Sequence, residues 1–244
     1  MSTILISGGS KGIGLEVAKL FAKLNYDICI TYNKDSKSAK KALQIIKKTS
    51  KNSICIKADF GKKNDIDKVF KKLRKLSRLE ILVNNAAINV DRIKFEKISL
   101  QKVKKIFDIN YFGCFYSSQL AFKIFKKQNK KLNKNIINLS SQAAIYGGNM
   151  FTHYAPTKAA INTLTKGLSR EAAQYNIRVN AISPGIIMTE GMLRVNKKNL
   201  KAISRSIPLK RIGTPKEVAK IIMQITSDHS KSITGSIIPI AGGR

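Results

Sequence analysis

Tyr154 and Lys158 stand four residues apart, and Ser141 lies thirteen residues before the tyrosine. On a helix, residues i and i+4 are neighbours on one face. A lysine ammonium beside a phenol favours the phenolate and lowers its pKa. A shift of about 3 units corresponds to about 4 kcal/mol of differential interaction. A phenol tuned this way is a general acid and base near neutral pH, and a serine hydroxyl beside it can orient a carbonyl oxygen. The Tyr-x-x-x-Lys spacing carries little weight alone. With 7 tyrosines in so lysine-rich a chain, about one such pair is expected by chance.

The weight comes from what accompanies it. Gly8, Gly12 and Gly14 follow the first apolar run and open an amphipathic stretch. Glycine lets a chain turn tightly and lets a pyrophosphate approach the backbone, and a helix N-terminus adds free N–H groups and a positive dipole. The spacing is not G-x-G-x-x-G. A glycine-rich turn without a ligand is the alternative, and position directly after a strand argues against it. The second apolar run ends in Thr31-Tyr32-Asn33-Lys34, without the acidic residue that would accept hydrogen bonds from a ribose 2′-hydroxyl. Asp35 comes too late to be the obvious partner. Lys11 and Lys34 are placed to meet a 2′-phosphate, which predicts NADPH/NADP+ in preference to NADH; the alternative is that both face solvent.

Asn84-Asn85-Ala86-Ala87 closes the fourth apolar run. At a strand's carboxyl end, small residues admit a ligand and amides fix its edges. Asp59 reads equally as a partner for an adenine amine and as a turn or N-cap aspartate. Ser141 follows the apolar run 136–139 and belongs at the carboxyl end of the fifth strand, where open α/β sheets bind ligands. Ser140 competes for the same role. Asn110 falls inside a predicted helix although asparagine is a poor helix former. It is either a solvated surface residue or a kink that holds a water for proton relay. His153 points to a different helix face from Tyr154 and reads as structural. With 2 histidines and no carboxylate–histidine spacing, neither a metal site nor a Ser-His-Asp hydrolase is expected.

The elements that must position these residues alternate along the chain. Strands are predicted at 3–7, 27–32, 53–57, 81–84, 135–140, 178–183 and 235–240. Most are continuously apolar, as strands buried on both faces are. Helices are predicted at 12–24, 36–49, 63–76, 102–128 with a break near 108–110, 154–175 and 215–227. Ile13, Val17, Leu20, Phe21 and Leu24 recur at helical spacing, and Thr214-Pro215 is a cap followed by proline at the first helical position. The alternation implies one α/β domain over 1–244: a doubly wound, seven-stranded, mainly parallel sheet with helices on both faces. Residues 186–210 show no period and are expected to form a mobile lid.

The chain carries 46 basic and 14 acidic residues, a net charge of +32. Such a balance can mark a nucleic-acid binder. Here lysine far outnumbers arginine, which base and bidentate phosphate contacts favour, and the lysines spread over almost every helix. A compositional bias explains the charge better. It should still attract acidic proteins or phosphorylated substrates in a salt-sensitive way. No signal peptide and no membrane-spanning run is expected. Cys29, Cys55 and Cys114 sit in apolar contexts, as buried free thiols do, which points to a reducing, cytoplasmic setting.

Taken in order, these residues resemble the short-chain dehydrogenase/reductase family, from Ile4 to Gly243. Gly8, Gly12 and Gly14 match its T-G-x-x-x-G-x-G loop with Ser7 in place of threonine, and Asn84-Asn85-Ala86-Ala87 matches its N-N-A-G with Ala87 in place of glycine. Asn110, Ser141, Tyr154 and Lys158 fall where the family's catalytic tetrad falls. The resemblance implies a Rossmann-type domain whose first loop, with Ser10, Lys11 and Ile13 beside the glycines, holds a dinucleotide. It adds Asn33, Asp59, Asn85 and Ala86 to the residues expected to bind the cofactor. Tyr154 and Lys158 then flank the nicotinamide ribose, and Pro184, Gly185, Ile187 and Thr189 receive the carboxamide. Among its members the chain looks most like 3-oxoacyl-[acyl-carrier-protein] reductases. Those enzymes reduce a 3-oxoacyl thioester and are usually homotetramers. Their acidic carrier protein docks on basic residues near the site mouth, for which Lys130, Lys131, Lys134 and Arg170 are candidates. The alternative within the family is another carbonyl or alcohol, such as acetoacetyl-CoA, a sugar, a steroid or a small ketone. Ala241 stands where an acidic residue is often found. More remote is a nucleic-acid binder built on this scaffold.

Overall fold

A computed structural model describes residues 2–74, 76–88, 91–196 and 199–244. Seven strands form one sheet: β1 (Ser2–Ile6), β2 (Tyr26–Tyr32), β3 (Ile54–Lys57), β4 (Arg78–Asn84), β5 (Lys134–Leu139), β6 (Ile177–Pro184) and β7 (Ile237–Ile240). Their order is β3-β2-β1-β4-β5-β6-β7, and every pairing is parallel. The expected strands are all present, and the sheet is wholly rather than mainly parallel.

The apolar runs are continuous because both faces are covered. Ile4 and Ile6 of β1 pack on one side with Val17 and Phe21 of α1 (Gly12–Lys23) and Ile222 of α10 (Pro215–Thr226). Leu5, between them, packs on the other side with Val69 of α3 (Lys63–Leu73) and Phe125 of α5 (Gly113–Lys126). Side chains alternate between faces along a strand, so each face claims every second residue. The first side also holds α2 (Ser36–Lys47), whose N-cap is Asp35, accepting from Ser38 N. Helix α10 starts as Thr214-Pro215 predicted, with a full capping box to Glu217.

The predicted helix 102–128 is three pieces. Helix α4 (Leu100–Phe107) runs into a π-helical turn (Asp108–Phe112) and then into α5. The expected break at 108–110 is thus a π-bulge, a device frequent at functional sites. The expected loop at 186–210 instead holds two short helices, α8 (Glu190–Asn196) and α9 (Leu200–Ser206). Residues 197 and 198 of that segment lie outside the described residues. Two further helices complete the chain, α6 (Ala143–Tyr146) and α7 (Ala155–Ala173).

One buried cation ties the far edge together. The Arg178 guanidinium, on β6, donates to the carbonyls of Ile225, Ser230, Ile233 and Ser227 and to Asn133 Oδ1. It ends α10 and anchors the chain entering β7. Arg178→Met strands several buried acceptors, each costing about 1–3 kcal/mol. The expected loss is about 3 kcal/mol or more, read as a lowered urea midpoint with an unchanged slope.

Candidate active site

Between β1 and β4 the chain reverses direction across the sheet, and a crevice opens beyond their carboxyl ends, as parallel α/β sheets require. It widens into a cleft of about 730 Å³. The first loop forms one wall. Gly8 has φ +64°, a left-handed conformation that favours glycine. A Cβ at Gly14 would stand 2.7 Å from Asn85 Nδ2 and 2.8 Å from Gly8 O, so only glycine lets α1 pack this close. Helix α1 has no side-chain cap and no acidic residue in its first turn. Its free N–H groups at the mouth are the donor set an anionic pyrophosphate needs. The residues therefore fit a dinucleotide.

Neighbouring loops lock this wall. Ser7 Oγ accepts from Asn85 N at 3.0 Å and Ala86 N at 2.9 Å. The Asn85 amide donates to Ser7 O at 2.9 Å and Gly8 O at 3.0 Å. Asn84 is turned inward, donating to Ser118 Oγ and Asn138 Oδ1, both at 2.9 Å. The two amides expected to fix the edges of a ligand thus fix the protein instead, although Asn85 still borders the cleft. Ser10, Lys11, Gly12, Ile13, Asn33, Asp59 and Ala86 line the cleft on the side of the glycine turn. Asp59 Oδ1 also accepts from Gly61 N at 3.0 Å, so its turn role is real beside any ligand role. Pro184, Gly185, Ile187 and Thr189 line the opposite end, with Thr189 Oγ1 accepting from Met192 N in the first turn of α8.

Of the two lysines expected at a 2′-phosphate, Lys11 borders the cleft and Lys34 does not. Lys11 Nζ pairs with Asp35 and lies 3.7 Å from Glu190. The Lys11 hydrogen bond holds the Asp35 carboxyl well below its usual range.

Ser141, Tyr154 and Lys158 meet in the same cleft. The Ser141 hydroxyl is near enough to the Tyr154 phenol to pull its pKa down, and it accepts from Ala143 N at 3.2 Å. Ser140, the competing serine, donates its hydroxyl to Lys158 O at 3.2 Å and is committed to the backbone of α7. Lys158 Nζ lies 5.7 Å from the Tyr154 ring centroid and donates to Leu139 O at 2.6 Å. Asn110 is buried in the π-helical turn, neither solvated nor in the cleft lining. Its Oδ1 accepts from Ile88 N at 2.9 Å and its amide donates to Thr157 Oγ1 at 3.3 Å. It fastens the loop after β4 and the turn to α7, one residue before Lys158.

The electrostatics differ from the expectation. Desolvation pushes the Tyr154 phenol up to about 12, with only the Ser141 hydroxyl acting the other way. The surroundings are dense although part of the ring is open to the cleft. Lys158, 3% exposed, is pushed down to about 8 by the same cause. In the free protein burial outweighs the ammonium, because Lys158 spends its short hydrogen bond on a carbonyl. The phenol is a protonated acid at neutral pH.

Other expectations need correction. Lys134 is 0% exposed, donating from Nζ to the carbonyls of Phe125, Asn129 and Tyr175. It begins β5, Lys130 and Lys131 lie just before it, and Arg170 lies in the last turn of α7. The cleft is at the other ends of those elements, so this cluster is not at the mouth. His153 is buried, with desolvation lowering its pKa. Arg92 and Phe151 line the cleft without having drawn notice in the sequence, while Met192 and Ile203 enter it from the segment expected to be a lid. No motif marks Arg92 or Phe151; only their aromatic-basic character offered a signal.

The chain resembles known proteins over its whole length. A family model described as enoyl-(acyl carrier protein) reductase matches residues 8–244. The 3-oxoacyl-[acyl-carrier-protein] reductase FabG of Rickettsia typhi is 34% identical over 242 residues, covering 99% of this chain and 95% of that protein. Glucose 1-dehydrogenase 2 of Bacillus subtilis is 30% identical over 243 residues, covering 99% and 93%. Among solved structures, ElxO with NADP bound superimposes with a TM-score of 0.89 at 30% identity, covering 99% of this chain and 98% of its own.

Proposed function

The chain belongs to the short-chain dehydrogenase/reductase family, and we propose that within it this oxidoreductase reduces a 3-oxoacyl thioester on acyl carrier protein to the 3-hydroxyacyl form with NADPH. The observation that carries the reading is the meeting of the Ser141 and Tyr154 hydroxyls beside Lys158, in the cleft bounded by the glycine turn. A bound nicotinamide supplies the hydride for the carbonyl carbon. Ser141 holds the carbonyl oxygen. Tyr154 gives its proton to that oxygen as negative charge develops there. An alkoxide is far more basic than a phenol near 12, so the transfer runs downhill. Lys158 offsets the charge left on the phenolate. Asn110 holds the π-helical turn against α7 beside that lysine.

Preference for the phosphorylated cofactor is supported by Lys11 and by the NADP bound to ElxO. A 2′-phosphate there exchanges one anionic partner of Lys11 for another. The thioester assignment is supported by the FabG relative and by the +32 charge, which favours an acidic carrier. The glucose dehydrogenase relative favours a second reading, a sugar alcohol or other carbonyl compound. Initial rates with acetoacetyl-acyl carrier protein, acetoacetyl-CoA, glucose and simple ketones decide between them. The thioester reading requires the highest kcat/KM on a thioester; a higher value on glucose or a ketone replaces it.

The helices α8 and α9 both border the cleft through Met192 and Ile203 and serve as the lid. The cysteines are free and Cys29 and Cys114 are buried, which suits a reducing cytoplasm. The enzyme works as a homo-oligomer, in keeping with a tetramer. Leu100, Phe112 and Phe115 are 65%, 55% and 41% exposed along the α4–α5 face, and Tyr111 packs its ring against both phenylalanines. An apolar stripe of this kind marks a protein interface, and a second copy covers it. Phe112→Glu with Phe115→Glu is expected to lower the mass seen by light scattering to that of a smaller assembly. An unchanged mass places the interface elsewhere.

A further inference from the structure

Arg92 lies between β4 and α4 and lines the same cleft as Ser141 and Tyr154. Its Cζ stands 5.7 Å from the Phe151 ring centroid. The Phe151 ring in turn meets that of Tyr154 edge-on, with centroids 6.3 Å apart. The guanidinium carbon is therefore no farther from the Tyr154 ring centroid than those two separations laid end to end. The loops that carry it are joined: Ile93 N donates to Met150 O at 3.1 Å. Met150 holds φ at 63°, a left-handed conformation costly for a side chain of its kind. Arg92 is exposed; its guanidinium rests on the Phe151 ring, and the loop contact fixes the backbone beside it.

It is not placed by a counter-ion. None of the ion pairs among the described residues takes Arg92. This separates it from Lys11, which is held by Asp35, and from Lys158, which is buried on a carbonyl. A guanidinium offers five donors in a rigid fork that matches carboxylate and phosphate oxygens. Left without a carboxylate at the wall of a cleft, that fork is an anion-binding group awaiting its ligand.

We propose that Arg92 is the specificity-determining anion anchor of the substrate pocket, binding carboxylate or phosphate oxygens of a carbonyl substrate whose reacting oxygen lies at Ser141 and Tyr154. The assignment rests on the reading of this cleft as a carbonyl-reducing site. The oxyanion has two possible sources: the carboxylate of a compact oxo acid, or the phosphate on the arm of a carried thioester.

The test compares the parent protein with Arg92→Met and Arg92→Lys on three acetoacetyl substrates: the neutral N-acetylcysteamine thioester, the phosphopantetheine thioester and free acetoacetate. Arg92→Met is expected to raise KM for a charged substrate roughly ten- to a hundredfold, the range of a hydrogen-bonded charged contact. The kcat stays level, and KM for the neutral thioester shifts by less than about twofold. Arg92→Lys falls between, because the charge is kept and the fork is lost. A response confined to the phosphopantetheine thioester identifies phosphate as the source, and one confined to acetoacetate identifies carboxylate. Equal changes for all three substrates, or none, overturn the proposal. Calorimetric binding of butanoyl-phosphopantetheine and butanoate repeats the comparison without turnover. If neither analogue weakens in Arg92→Met, the anchor falls. If either does while no carbonyl is reduced by the parent protein, the anchor stands and the reductase reading falls.

Discussion

Tyr154→Phe is expected to lower turnover by two to four orders of magnitude, the usual worth of a positioned general acid, while NADPH still binds. The variant removes one oxygen and keeps the ring that packs on Phe151, so the cleft keeps its shape. What is lost is the proton donor to the developing alkoxide and one neighbour of the Ser141 hydroxyl. Rapid-quench turnover and cofactor fluorescence separate the two quantities. Turnover within about tenfold of the parent assigns the proton to another group.

Lys158→Met carries the next largest effect. The substitution keeps the apolar stem and removes the ammonium. A fixed charge aimed at a developing anion is worth about two to three orders of magnitude in kcat. The pH profile gives a second readout. Burial pushes Lys158 down to about 8. Reduction by the parent protein should therefore hold level below that pH and decline as pH rises through it and the ammonium is lost. In the variant the decline near 8 disappears from an already low plateau. Stability moves the other way. Between about 8 and the ordinary 10.5 the unfolded lysine binds a proton that the folded one does not. Stability therefore rises with pH across that window. Charged Lys158 is a cost to folding at neutral pH, and the methionine variant should melt no lower than the parent.

The sheet was legible because its strands are buried twice over. A run such as Ile28-Cys29-Ile30 satisfies both faces and admits no other reading between two amphipathic stretches. The glycine turn and the Ser141, Tyr154, Lys158 set were legible for a related reason, since their spacing survives only if the elements between them fold as a crossover. Helices α8 and α9 were not legible. Each has 7 residues, fewer than the window over which a helical period can be recognised. Lys134 looked like one more surface charge beside Lys130 and Lys131, because burial depends on the packing of β5 and on Tyr175 O, a carbonyl from a distant part of the chain. Arg92 was hidden in the same way among so many basic residues.

The Tyr154–Lys158 pair shows the limit of spacing as an argument. Four residues of separation brought the two together in one cleft. It did not decide whether the ammonium or the loss of solvent controls the phenol, which depends on where Nζ spends its hydrogen bond. Leu139 O takes it, and the phenol stays protonated. That state serves reduction, where a proton must be given, and disfavours oxidation at neutral pH, where one must be taken. The protonation state of the resting phenol thus follows from burial rather than from the ion pair that the spacing implied.

The most direct test of this account is a single turnover with NADPH carrying deuterium at its transferable position, mixed with an acetoacetyl thioester. The account predicts a 3-hydroxybutanoyl product with deuterium on the carbinol carbon, formed in step with NADPH loss and slowed by about two to four orders of magnitude in Tyr154→Phe. A product without the label, or NADPH loss that is unaffected by that substitution, contradicts it.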